Sequence, residues 1–355
     1  MALIAILALS TIVILPSNST ADTSQWVKDP NNPLLSPTPG AWDAYEVLLP
    51  RLVYDGTTYR MWYRGQRSEQ EGGKIGYATS QDGIKWTKHP DPVLLPGPTG
   101  DWDTYGLHSA SVIWNGSLFM MWYRGWGPGF EEGAVGLAVS SDGVSWAKYA
   151  GNPVMKSSSI DKELVSYPYV VWDGEEYKMW YTGWSGSGKY KIVLATSTDG
   201  IKWTKRTLPV LSTSASGWDA GSVYCPTIIF DGSTYAMWYS GTDSAHRLWL
   251  IGYATSKDGI SWKKAADNPV LSQGAAGSWD SYDSVDNQGV VFVGSTVMLY
   301  YSADQVADGK LVSYKIGLAR PPEGFVIPEI PPQAFSLLLG ALVFAVALIV
   351  RRRRS

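Results

Sequence analysis

One stretch of eleven residues, Asp55 to Gly65 (DGTTYRMWYRG), sets most of what this chain can become. It returns as NGSLFMMWYRG from Asn115, DGEEYKMWYTG from Asp173, DGSTYAMWYSG from Asp231 and, weakened, VGSTVMLYYSA from Val293. The central aromatics, Trp62, Trp122, Trp180, Trp238 and Tyr300, lie 60, 58, 58 and 62 residues apart. Units of this size cannot bury their apolar faces alone and must stack on one another, so the length of 355 residues reads as one repeat body.

Each copy carries satellites. An Asp precedes the aromatic marker by 19 residues at Asp43, Asp103, Asp161 and Asp219, and by 20 at Asp280, usually after a Trp. Downstream comes IGYATSQDGIKW, ending at Trp86, with counterparts ending at Trp146, Trp203 and Trp262, and then an NPVL-like phrase. The segments between are β-branched and aromatic, are punctuated by Asp-Gly turns, and show no helical period. In the first copy strands are expected at about 48–54, 59–64, 74–80 and 85–88.

Four antiparallel strands per repeat make a propeller blade, so the predicted fold is all-β, a five-bladed β-propeller. Blades are expected near 36–95, 96–155, 156–211, 212–271 and 272–320. The fifth copy lacks its fourth strand, and Trp26 to Leu35 matches Trp262 to Leu271 at Trp, Lys, Asn, Pro and Leu. The N-terminal strand is therefore expected to complete the last blade and remove the sheet edge.

The ends differ from the body. Residues 1–21 hold an apolar run with small residues before Asp22 and read as a signal peptide, with an uncleaved anchor as the alternative. A Pro-rich stalk at 321–333 leads to an uncharged apolar segment at 334–350, expected as a transmembrane helix, with Arg351 to Arg354 in a cytoplasmic tail, 351–355. The stalk resembles the short sorting motifs of some prokaryotic surface proteins. The expected localisation is the cell surface, with residues 22–320 as an extracellular propeller.

A formal net charge of −3, more negative once the terminal arginines are set apart, argues against a nucleic-acid partner, and no nucleotide fingerprint appears. Cys225 is the one cysteine, so no internal disulfide forms, and it reads as a small packed residue. The three histidines are too scattered for a metal motif, and neither cofactor nor metal is expected.

Alternation along the strands places both Asp-Gly turns of a blade on one face, and the loop after the second strand and the approach to the first strand on the other. That second, divergent face is the expected functional face. Charged residues at the start of the inner strands converge there on the pore: Glu46, His108, Glu163, Asp283 and Asp286, with Arg51, Arg64 and Arg124 adding positive charge. Paired carboxylates are what glycosidic cleavage requires, one to protonate the leaving oxygen and one as base or nucleophile. Most of the 18 Trp sit at repeat positions and serve packing, but Trp126 and Trp184 fall in the variable loops, as candidates for stacking on a sugar or for loop packing. The serine-aspartate turns, such as Ser80 to Trp86, resemble the Asp-box of sialidases one residue short, and their carboxylates satisfy their own turns.

With its inner strands, its MWY markers and the phrase IGYATSxDGIxW, the span from Trp26 to about Ala319 resembles the five-bladed propeller glycosidase superfamily: the arabinanase-like families 43 and 32, the levansucrases and the mannoside phosphorylases of family 130. In the arabinanase-like enzymes the resemblance implies an Asp base on blade one, a pKa-tuning Asp on blade two and a Glu acid on blade three. Here Leu49 and Tyr167 stand before Pro50 and Pro168, and blade two reads His108-Ser109-Ala110-Ser111. The Glu-Asp-Pro-Arg motif of the mannoside phosphorylases becomes Leu48-Leu49-Pro50-Arg51. The expected function is a glycoside hydrolase-like protein acting on or binding carbohydrate, with Glu46, Glu163 and Asp286 as catalytic candidates. Arg51, Arg64, His108, Arg124, Trp126, Trp184 and Asp283 are the binding candidates. The alternatives are a non-catalytic lectin or adhesion module and a surface-layer component.

Overall fold

The computed structural model describes residues 25–130, 133–161, 164–184, 188–293, 296–307, 310–323 and 325. The expected signal peptide and transmembrane helix, most of the stalk, and Glu163 lie outside the described residues. Within them there is no helix, and no helix long and apolar enough to cross a membrane. The strands form antiparallel blades of four strands, and in blade two a fifth short strand, Met155–Lys156, also pairs with the third.

Blade one runs Glu46–Tyr54, Tyr59–Gln66, Lys74–Ser80 and Thr87–Lys88. Blade two has Gly106–Trp114, Phe119–Trp126, Ala134–Ser140 and Ala147–Lys148, and blade three has Ser166–Trp172, Tyr177–Trp184, Tyr190–Ser197 and Thr204–Lys205. Blade four has Ser222–Phe230, Tyr235–Thr242, Trp249–Ser256 and Lys263–Lys264. Blade five takes Val285–Val293, Thr296–Ala307 and Lys310–Arg320 from the end of the chain and Val27–Lys28 from its start, Val27 pairing with Arg320 and Lys28 with Ala319.

The N-terminal phrase does for blade five what its counterpart does for blade four. Leu318 N–H donates to Asn32 Oδ1 at 2.8 Å, as Tyr253 N–H does to Asn268 Oδ1 at 2.8 Å. A side-chain amide thus stands in for a strand neighbour on both blades.

The repeated residues form a shell. Trp62, Trp122, Trp180 and Trp238 are fully buried. Three of them reach into the next blade: their indole N–H groups donate to the carbonyls of Gly143, Gly200 and Gly259 at 2.8 to 2.9 Å, and the Tyr300 hydroxyl donates to Gly83 O at 2.6 Å. Gly83 must be glycine, because its φ is +72° and a Cβ would stand 2.7 Å from the Met298 methyl and 2.8 Å from the Tyr300 hydroxyl. Trp238 has no such bond among the described residues and packs edge-on against Trp26, with ring centroids 5.8 Å apart.

The satellite Asp explains itself in the same layer. Asp43, Asp103, Asp161, Asp219 and Asp280 are buried, and each accepts from the tyrosine after its marker and from a lysine of its own blade's outer strand. Each lysine also lies over that tyrosine's ring. A buried carboxylate is tolerable only when paired and hydrogen-bonded, and here both conditions are met five times.

Candidate active site at the pore mouth

All five inner strands break register at one place, between Leu48 and Arg51, Leu107 and Ala110, Ser166 and Tyr169, Tyr224 and Thr227, and Asp286 and Gly289. A bulge of this kind re-aims the neighbouring side chains. In four blades the bulged residue is left-handed without being glycine: Leu49 (φ 59°), Tyr167 (49°), Cys225 (48°) and Asn287 (51°). Such a conformation costs on the order of 1 to 3 kcal/mol and persists only where the surroundings hold it.

What holds it is a hydroxyl from a neighbouring blade. Leu49 N–H donates to Ser302 Oγ at 3.0 Å, Cys225 N–H to Thr182 Oγ1 at 3.0 Å and Asn287 N–H to Ser240 Oγ at 3.1 Å. These three hydroxyls each stand two residues after a marker. In blades one and two that column holds Arg64 and Arg124, and Tyr167 N–H turns to Ser109 Oγ at 3.1 Å.

The exchange is coupled to a second column, on the third strand or at the residue just before it. Blades three, four and five place Tyr190, Trp249 and Tyr314 there, whereas blades one and two have Gly73 and Gly133. A Cβ on Gly73 would come 2.4 Å from Arg64 Nε, and one on Gly133 2.6 Å from Arg124 Nε. A guanidinium with glycine on two blades therefore replaces a hydroxyl with an aromatic ring on three. The pore mouth has a cationic half and an aromatic half.

Between the halves opens a cavity of about 580 Å³, lined among others by Glu46, Arg64, His108, Tyr224, Asp283 and Asp286. Tyr190, Trp249 and Tyr314 also line it. Asp286 is buried, accepting from Tyr224 Oη at 2.6 Å on one oxygen and from Ser284 Oγ at 2.8 Å and Asn287 Nδ2 at 2.9 Å on the other. Burial dominates over these bonds and, with the nearby charge of Asp304, pushes its carboxyl up to about 6. Asp304, which accepts from Ser284 N–H at 2.8 Å, is raised by burial as well. The Tyr224 phenol is held far above its usual range and stays a donor.

On the neighbouring blade one stands Glu46, buried and ion-paired with Arg64. Burial lowers Arg64 to about 10, still charged at neutral pH. His108 is driven well below the usual imidazole range by burial and by the charges of Arg64, Arg124 and Arg51, so it is a neutral ring. It stands edge-on to Tyr167, with centroids 5.0 Å apart, and its Nδ1 has no partner among the described residues.

The structure brings Glu46, Arg64, His108, Asp283 and Asp286 into one cavity, whose lining does not include Arg51, Arg124, Trp126 or Trp184; Glu163 lies outside the described residues. The Arg51 guanidinium is 2% exposed and donates to Ala110 O at 2.9 Å and Gln288 O at 2.5 Å. It also contacts Cys225 Sγ at 3.5 Å and the Tyr169 ring, 5.7 Å from its centroid, so one side chain bolts five inner strands together. Trp126 is half-buried under Arg124, 5.2 Å from the ring centroid, and Trp184 is exposed beyond the cavity. The sequence gives no site role to Tyr224 and Asp304, and none to Tyr190 and Trp249, which it places with the variable loops, or to Tyr314. Comparing the repeat copies column by column, rather than looking for charge, is the signal that finds the last three.

A five-bladed propeller with carboxyls gathered at the mouth of its pore is the architecture of a glycosidase-type protein. The sequence profile of the glycosyl hydrolases family 32 N-terminal domain matches residues 50–230, more than half of the chain, and the chain belongs to that family. An uncharacterized protein of Mycobacterium tuberculosis is 28% identical over 64% of this chain and 78% of its own length. A 1,2-β-oligomannan phosphorylase of Thermoanaerobacter sp. is 32% identical over 32% of this chain and 42% of its own. The solved structure of the β-1,2-mannobiose phosphorylase from Listeria innocua superposes with a TM-score of 0.65 at 17% identity, covering 83% of this chain and 96% of that one. That likeness fixes the fold.

Proposed function

We propose that the protein acts on an oligosaccharide or polysaccharide held at the pore mouth and cleaves a glycosidic bond there. The observation that carries this is Asp286, a buried carboxyl raised to about 6 in the wall of the cavity that also holds Glu46. A carboxyl with that pKa still carries a proton in slightly acidic solution, as a general acid must. In the proposed step Asp286 gives its proton to the leaving glycosidic oxygen as the carbon–oxygen bond breaks. Glu46 faces the sugar from blade one as the base that takes a proton from the attacking water, and Arg64 orients it. This reading moves the acid from Glu163 to Asp286.

The names of the phosphorylase relatives make β-1,2-mannosides the first substrates to test, beside aryl glycosides, arabinans and fructans. Turnover by the wild type, cut by about 10²- to 10⁴-fold in Asp286→Asn, is the expected result. Running the assay with and without inorganic phosphate separates free sugar from sugar phosphate as product. Sugar binding without turnover would select the second reading, a lectin, which the engagement of Glu46 by Arg64 favours.

We further propose that residues 22–320 are displayed outside the cell on the apolar segment 334–350, for which the sequence of that segment and its arginine tail is the support. Protease shaving of intact cells that leaves the protein untouched would end this proposal.

A further inference from the structure

Beyond the cavity the aromatic half continues onto blade three. Tyr190 lines the cavity and its ring lies 6.3 Å from that of Tyr224, the tyrosine bonded to Asp286. Directly across the strand pair from Tyr190 stands Trp184, so both side chains project from the same side of blade three. Each is 42% exposed. The corresponding pairs in blades four and five are Thr242 with Trp249 and Asp304 with Tyr314, so a double aromatic occurs in blade three alone among these three.

The platform is anchored. Tyr190 N–H donates to Ser222 Oγ at 3.1 Å, and Lys189 Nζ to Ala220 O at 2.7 Å, tying the start of this strand to blade four. Two large rings left half in water forgo apolar burial, and an anchored, exposed aromatic pair beside a polar cavity is the form of a recognition surface.

Resting on the carbohydrate reading above, we propose that Trp184 and Tyr190 form an outer stacking subsite for a sugar ring removed from the bond that is cleaved. The ligand is then a chain of several sugars leaving the cavity across blade three. The apolar faces of a pyranose match flat rings, whereas the cationic half, with Arg64 and Arg124, offers charge in place of a platform.

The test is a ladder of β-1,2-manno-oligosaccharides from two to five units, with matched arabinan and fructan ladders, against the full chain. Wild type, Trp184→Ala, Trp184→Phe and Tyr190→Ala are compared by binding and by kcat/KM. Affinity in the wild type should climb with chain length, and the climb should flatten in Trp184→Ala, with the longest member losing roughly tenfold in KM while kcat holds. Trp184→Phe should keep most of it. A length profile that is the same in wild type and Trp184→Ala overturns the subsite, as does a wild type that binds no ladder. Length-dependent binding lost in Trp184→Ala, with no turnover in any protein, upholds the subsite and sinks the cleavage reading instead. Thermal melting of each variant shows whether a loss reflects unfolding.

Discussion

The two halves of the pore mouth are built on the same backbone and differ in two columns. On blades three to five a hydroxyl caps the bulged amide of a neighbour, and an aromatic ring fills the space on the third strand. On blades one and two an arginine takes the hydroxyl's position, and the facing residue shrinks to Gly73 or Gly133 because the guanidinium occupies its room. The lesson is that a repeat gives up scaffold contacts where it installs chemistry. Positions that obey the repeat, such as the Asp–Tyr–Lys triads, serve the shell. Positions that break it in pairs serve the site.

The largest expected effect bears on the carboxyl between the halves. Asp286→Asn should abolish all but about 10⁻² to 10⁻⁴ of kcat while the fold stays intact, and the limb of the pH–rate profile near pH 6 should vanish with it. The same residue sets a stability trend. Its folded pKa of about 6 lies above the ordinary aspartate value of 3.8, so the protonated form favours the fold. That stability is fully present below about pH 4 and is lost as pH rises through about 6, by on the order of 3 kcal/mol. Urea titrations at pH 4 and pH 8 should show it, and Asp286→Asn should flatten the difference; an unchanged slope would mean that Asp286 ionises normally.

Next comes the cationic half. Arg64→Ser gives blade one the hydroxyl of the aromatic half but strands Glu46, buried, without its partner. The loss should be about 3 kcal/mol in denaturant unfolding, and adding Glu46→Gln should recover more than half of it. A double variant no better than the single would show the pair to be uncoupled.

A smaller effect belongs to the hydroxyl column. Ser240→Ala leaves Asn287 N–H uncapped in a left-handed turn and should cost about 1 to 3 kcal/mol. Ser240→Thr should be tolerated, because Thr182 performs the same task on blade three.

The smallest contrast lies in the shell, between Trp62 and Trp238. Both lose packing when replaced by Phe, but among the described residues only Trp62 loses an inter-blade hydrogen bond, to Gly143 O at 2.9 Å. Trp62→Phe should therefore be about 1 kcal/mol the costlier of the two in thermal or urea unfolding. Equal costs would leave the indole bond without weight in holding the blades together.

The scaffold was legible in the chain because its forces repeat. A buried Trp, a Gly with positive φ and an Asp inside its own turn each leave the same letter at the same spacing, and the strand segments follow them. Turn carboxylates such as Asp82, which accepts from Ile84 and Lys85 N–H at 2.8 Å, were readable as structural for the same reason. The site was legible in part: Glu46, Arg64, His108, Asp283 and Asp286 do meet, since the starts of inner strands converge on any propeller axis. Arg51 misled, because a charge near the axis points to the mouth in one dimension and to the bolt below it in three. Tyr224 and Asp304 escaped notice because their importance is a distance to Asp286 or Ser284, which no spacing encodes.

By itself, then, the sequence determined the repeat, the strand count of each blade, the use of the N-terminal phrase on the last blade and the face that diverges. These follow from local periodicity, turn chemistry and burial, each confined to a few neighbouring residues. Only the tertiary structure decided which carboxyl is raised, which arginine is paired and which aromatics are exposed. Desolvation and charge pairing act between residues from different blades, such as Asp286 with Tyr224 across 62 positions of chain, and become defined when the ring closes.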